Sequence, residues 1–374
     1  MCLLLALGPA CSHPQAPPSG SWAQTAAARY LDQREASWMS WPGAARDRGT
    51  FCVSCHTSVP YALARPSLRA ALGEKTPSPN ERRLLENVVK RVRLWKEVEP
   101  FYNGEGYDAS KAAESRGTES VVNALILASY DASSNNQNGR LSDDTRAAFD
   151  DMWALQLTSG ENKGAWMWLQ FDLEPWEAGD SVYYGATLAA LAVGTAPENY
   201  RSSPENQPYL DMLRDYLDRQ YARQSTLNRV SLLLAAAKWP ELLSNERKQG
   251  ILNEVLAKQQ SDGGWKLSSL QWSGDSPSAL LRRWIREDGT PIGQSSDGFA
   301  TAVVTFALQE GGVPRTNPAV QRGLAWLLRN QNKSEGQWAS NSLNKRRDLS
   351  TNIGEFMTDA ATGYAVLALT ESAH

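Results

Sequence analysis

Phe299-Ala-Thr-Ala-Val-Val-Thr-Phe-Ala-Leu308 is apolar around most of a helical circumference, and a helix apolar all round is a buried one. Val182-Tyr-Tyr-Gly-Ala-Thr-Leu-Ala-Ala-Leu191 and Ala361-Thr-Gly-Tyr-Ala-Val-Leu-Ala-Leu369 have the same character. Working outward from them, buried helices are expected over about 59–72, 117–131, 180–194, 226–238, 297–310 and 357–371. Charged, amphipathic helices lie between. Ser78-Pro79-Asn80-Glu81 is a capping box with Pro at the first helical position, which opens a helix to about Trp95. Asn317-Pro318 opens another, Ser142, Ser203 and Ser244 are candidate caps for three more, and 26–33 is a shorter first member. Strand signals are almost absent. The alternation repeats about every 60 residues, the signature of a helical-hairpin repeat. Six outer and six inner helices, starting with an outer and ending with an inner one, suit a closed ring better than an open solenoid, which would want polar caps at its ends. The expected fold is all-α, an (α/α)6 toroid spanning residues 22–374 as one domain.

The turns after the outer helices carry their own repeat. Gln259-Gln-Ser-Asp-Gly263-Gly-Trp265 and Gln331 with Gly336-Gln-Trp338 match a Q-x3-G-x-W core, the second with one extra residue; Gln156 with Gly164 and Trp166, and Gln33 with Trp38, look like degenerate copies. These turns resemble the QW motifs of the squalene-hopene cyclase and protein prenyltransferase superfamily. That resemblance implies an α/α toroid with a central, often apolar and aromatic, cavity entered from one end. It does not carry the activity. Aligning Thr301-Ala302 with the pair that follows the cyclase DxDD puts Asp297-Gly298-Phe299-Ala300 in its place, with Phe299 at the proton-donating position. The Asp/Cys/His zinc set of prenyltransferases is also missing. No cyclisation of squalene is expected.

What remains at the inner-helix starts is a set of acids, Glu119, Asp180, Asp297 and Asp359. Acidic residues there stabilise the free amides and dipole by about 0.5–2 kcal/mol. The functional alternative is that they rim one cavity mouth and hold a polar group, proton or cation.

Cys52-Val53-Ser54-Cys55-His56 is a CxxCH, the spacing at which two thiols and an imidazole meet one covalently attached haem. The chain has four Cys and three His; Cys2, Cys11, His13 and His374 sit near its ends, so three rare residues converge here. The expectation is one haem c, with Cys52 and Cys55 attaching it and His56 as proximal iron ligand. Met357, Met39 and Met167 are alternative sixth ligands, and Met/His ligation would favour electron transfer; ordinary core packing is the plainer role for each. A disulfide or redox dithiol within a terpenoid-handling protein is the alternative, and a zinc site lacks a second Cys/His pair. The expected partners are a redox protein or an apolar small molecule in the toroid cavity.

A net charge of −3 gives no basic footprint for nucleic acid. Residues 1–11 read as a short apolar leader, with Ala10-Cys11 like a lipoprotein cleavage site, and 12–21 as a Pro-rich tether. Export to a periplasm, with a lipid anchor on Cys11, is expected.

Overall fold

A computed structural model describes residues 21–103, 106–133, 139–271 and 284–371. The leader, Cys11, His13 and His374 lie outside the described residues, as does the tether up to residue 20. The described residues form twelve α-helices: α1 (Gln24–Ser40), α2 (Ser58–Ala71), α3 (Pro79–Arg93), α4 (Ala109–Ser133), α5 (Asp143–Ala154), α6 (Ser181–Thr195), α7 (Gln207–Gln220), α8 (Thr226–Lys238), α9 (Asn245–Ala257), α10 (Gly298–Glu310), α11 (Pro318–Asn330) and α12 (Phe356–Glu371). Even-numbered helices are inner and odd-numbered ones outer. Each inner helix packs on the next, α2 on α4, α4 on α6, α6 on α8, α8 on α10 and α10 on α12, and α12 returns to α2. The fold is an (α/α)6 toroid. A two-residue hairpin, β1 (Ala45–Arg46) with β2 (Thr50–Phe51), lies between α1 and α2.

The inner helices bury nearly every side chain because neighbours touch them on all sides: ten residues of α10 and fourteen of α12 are buried. The outer helices bury one stripe, as in α3, where the Ser78–Glu81 capping box forms in full. Ser142, Ser244 and Asn317 each cap a helix as expected. Ser203 does not. It follows a short 3-10 turn, and α7 starts later, after Asn206.

Three Gln-Gly-Trp turns each fasten one outer helix to the next. Gln156, Gln259 and Gln331 each donate from Nε2 to the Gly carbonyl of their own turn and to a carbonyl at the start of the following outer helix, those of Tyr209, Ala319 and Ala23. The indoles of Trp166, Trp265 and Trp338 donate back to carbonyls of the preceding helix, at 2.6, 2.7 and 2.8 Å. Gly336 has φ +95°, and a Cβ there would fall 2.1 Å from the Ala26 carbonyl oxygen, so the close approach demands glycine. Gln33 and Trp38 are not a fourth copy. Both lie inside α1, which runs on to Ser40, and the Trp38 indole donates to Cys52 instead.

Candidate functional site: an arginine-lined groove at the mouth

The inner helices all begin at one end, the mouth. Three long connections cross it, following α5, α9 and α11, and they lock together. Asn344 donates from Nδ2 to the Asp172 carbonyl (3.0 Å) and carboxylate (3.1 Å), Lys345 pairs with Asp172, and the Glu287 amide donates to the Asn344 carbonyl at 3.0 Å. Beneath them the axis is filled by rings. Trp176 lies 5.8 Å from His56 and 6.1 Å from Phe299, and Phe299 lies 5.9 Å from Tyr364. This part of the ring is therefore packed aromatic core rather than an open central cavity.

The CxxCH segment belongs to that core. Cys52 and Cys55 are free, buried thiols. Burial pushes Cys52 up to about 12 and holds Cys55 well above the usual thiol range. His56 stacks on Phe356 with ring centres 3.4 Å apart, with Trp38 edge-on at 5.0 Å. Thr57 Oγ1 donates to Asp359 at 2.7 Å, so the 2.9 Å contact between Thr57 Oγ1 and His56 Nδ1 makes that nitrogen the donor. Burial keeps the imidazole neutral. The segment is pinned by local bonds, Cys52 N to Ala44 O at 2.8 Å and the Trp38 indole to Cys52 O at 2.6 Å. These residues do not fit a covalent haem, because a porphyrin would have to displace the rings that enclose His56. Among the described residues no group of three or more His, Cys, Asp or Glu side chains is placed to hold a metal. The expected haem-carrying electron-transfer role is corrected accordingly; of the alternative, a disulfide or redox dithiol, the disulfide is not formed, since both thiols are free. Of the three methionines, Met39 and Met357 are buried in α1 and at the start of α12, and Met167 is partly exposed on the loop after α5.

The four acids do not share a site. Glu119 lies well inside α4, because that helix starts at Ala109 rather than near 117; Arg91 and Arg116 pair with it there. Asp359, in the first turn of α12, receives Arg34, Tyr30 and Thr57. Asp180 precedes α6 without capping it through its side chain. Asp297 borders a cavity. It caps α10, accepting from the amides of Phe299 (2.9 Å) and Ala300 (3.1 Å), and Ser340 donates to both its oxygens at 2.8 and 3.0 Å. Burial still pushes its carboxyl up to about 6.

The cavity beside it, about 240 Å3, is shared by Arg286, Asn330, Trp326 and Asn341. It meets a second hollow of about 520 Å3 through Arg286 and Asn341, and there Arg346, Arg347 and Asp348 complete the walls. Together they make one groove along the mouth. Arg286 is held by the Ser342 carbonyl at 2.8 Å. Asp288, near it, accepts from Thr290 and the Arg346 amide, and those bonds pull its carboxyl down to about 2. Both Asp288 and Asp297 act on Arg286 electrostatically. Exposed Trp284 stands on the same hairpin as Arg286, closed by the Ile285–Pro291 bridge. Glu177, buried next to Trp176, is a further mouth carboxyl, raised by burial to about 7. Sequence reasoning missed Arg286, Asp288, Arg346, Arg347 and Glu177. All lie on long connections without periodicity; the paired Arg346-Arg347 was the one visible signal.

No protein-family model and no curated protein matches the sequence. The fold does match solved structures. An inactive variant of an α-1,6-mannanase, GH76A of Salegentibacter sp. HEL1_6, with two Asp-to-Asn substitutions and in complex with α-1,6-mannotriose, aligns with TM-score 0.52 and 12% identity over 92% of this chain and 99% of that one. Two glycosidase point variants also align. One, with a Phe-to-Tyr substitution, gives 0.51 and 12% identity over 93% and 97% of the two chains. The other, with a Glu-to-Ala substitution, gives 0.50 and 11% over 93% and 98%. The toroid is thus shared with glycosidases. These matches correct the resemblance to squalene-hopene cyclases and prenyltransferases, and with it the terpenoid reading. The Gln-Gly-Trp turns mark how outer helices are clamped, not what the ring acts on.

Proposed function

We propose that the protein cleaves glycosidic bonds of a polysaccharide laid along the mouth groove. The observation that carries the reading is the mouth groove itself, bordered by the Asp297 carboxyl and by Arg286, with the Asp288 carboxyl on the same hairpin as Arg286. Burial raises the first carboxyl to about 6 and hydrogen bonds lower the second to about 2. Glycoside hydrolysis needs one carboxyl that holds a proton near neutral pH and one that stays ionised. Asp297 would protonate the leaving oxygen. Asp288 would stay charged, activating water or stabilising the positive charge that develops on the sugar ring. Exposed Trp284 offers a flat face for a sugar ring, and the amides of Asn330 and Asn341 offer both donors and acceptors to hydroxyls. The toroid shared with glycosidases supports the same reading at the level of fold, which alone does not fix activity.

The test is release of reducing ends from a panel of soluble polysaccharides, with the wild type beside Asp288→Asn. Removing one of two catalytic carboxyls costs on the order of 10²–10⁴ in rate. Release by wild type and its loss in the variant supports the proposal; equal release by both removes Asp288 from the mechanism.

A further inference from the structure

We infer that the groove takes an acidic glycan, one whose sugars carry carboxylate or sulfate groups. This rests on the reading above that the groove holds a saccharide. Among the described residues its walls place Arg286, Arg346 and Arg347 around one hollow, against the carboxylates of Asp348 there and Asp297 in the adjoining lobe. Among the described residues none of the three guanidiniums forms an ion pair. Arg286 spends its donors on the carbonyls of Ser342 and Pro291, and Arg347 donates to the Asp172 carbonyl at 3.3 Å. Arg347 Nε is buried with no partner at all. Asp348 is occupied elsewhere, accepting from the Ser350 amide at 2.9 Å and hydroxyl at 2.8 Å. Asp288 binds the Arg346 backbone rather than a guanidinium.

A buried guanidinium nitrogen without an acceptor is costly, and an anion is what satisfies it. The arrangement is also rigid. Glu287 and Asn344 join the two loops that carry the arginines, through the 3.0 Å bond from the Glu287 amide. The Asp288 bond to the Arg346 amide, 2.6 Å, joins them a second time. The Arg286 guanidinium, held by two carbonyls, loses little freedom on meeting a planar carboxylate or a sulfate. A neutral glycan would leave these charges unmet, whereas a uronate or sulfated residue repeated along a chain would meet several in turn.

The experiment is calorimetric titration of the full chain, as Asp297→Asn to prevent turnover, at low and at physiological salt. The probes are a trigalacturonate, a sulfated trisaccharide of similar length, α-1,6-mannotriose, inorganic sulfate and a short single-stranded DNA. One charged hydrogen bond corresponds to about 10–100-fold in affinity. An acidic trisaccharide should therefore bind at least about tenfold tighter than the neutral one, and weaken with salt. Arg346→Gln and Arg347→Gln, both at least partly exposed, should each weaken binding of the acidic probes more than that of mannotriose, and so remove most of that difference. The stronger of the two acidic probes identifies carboxylate or sulfate as the group recognised. Equal binding of neutral and acidic sugars, unaffected by either variant, overturns the inference and leaves the glycan reading standing. Binding of no saccharide overturns both. DNA binding as tightly as the acidic sugars, or inorganic sulfate alone accounting for the heat, shows an unselective anion site and overturns the inference.

Discussion

Arg91→Leu should be among the most damaging single substitutions in the molecule. Arg91 and Glu119 are both fully buried, joined by two hydrogen bonds from the guanidinium to the two carboxylate oxygens. Arg91 also donates to Thr50 Oγ1 and to the Glu99 carbonyl, each at 2.7 Å, so it ties the β1–β2 hairpin and the α3–α4 connection to the inner ring. Breaking a buried pair from one side leaves an uncompensated charge and costs about 3–5 kcal/mol. Arg116 stays within 3.3 Å of the abandoned carboxylate, which puts Arg91→Leu near the lower figure, about 3 kcal/mol. Replacing both partners by Leu removes the stranded charge, and the double variant should regain all but about 1 kcal/mol. Urea unfolding of wild type, both single variants and the double variant at pH 7 measures the coupling. Single costs that simply add, within about 0.5 kcal/mol, would refute the reasoning.

Glu35 makes a pH prediction. Its Oε1 accepts from Ser58 at 3.2 Å while Oε2 has no partner, and burial raises the carboxyl to about 8. The folded state therefore keeps this proton longer than the unfolded chain, and stability falls as pH rises from the unfolded value near 4.5 to 8, by up to about 5 kcal/mol. Glu35→Gln should lose less stability than wild type between pH 5 and pH 8.5, as read by urea midpoints, and matching slopes would count against it. Gly336→Ala should cost about 2 kcal/mol or more, since φ +95° and a 2.1 Å clash with the Ala26 carbonyl combine; a thermal midpoint within a degree of wild type would show that the turn can yield. Trp284→Ala should weaken oligosaccharide binding about tenfold without changing the unfolding midpoint, and unchanged binding would take Trp284 out of the site.

The inner ring was legible because a helix buried on every side must be apolar on every side. The observed α8 matches the expected 226–238, and the others differ by one residue at their starts, except α4. There the residues from Ala109 to Glu114 carry no large apolar side chain, and half of them are exposed; periodicity saw only the buried part, and so misplaced Glu119 at a helix start. α1 was cut short because polar residues such as Gln33 and Arg34 hide the continuation to Trp38 and Met39. CxxCH failed for another reason. Three residues in five positions establish which groups can meet a ligand, but not that Phe356, three hundred positions away, covers the imidazole. The groove was unreadable in the same sense: Arg286 and Arg347 meet only because two connections cross the mouth.

The most direct measurement is the pH–rate profile of polysaccharide cleavage by wild type and Asp297→Asn. Asn is as good a helix cap as Asp, so the variant keeps the α10 cap through its one amide oxygen and loses the titratable proton. With a carboxyl near 6 as donor, cleavage should be maintained below that pH and fall about tenfold per unit above it. Asp297→Asn should bind oligosaccharide normally and release no reducing ends. Cleavage by the variant at the wild-type rate, or no cleavage of any glycan by the wild type, would contradict the assignment.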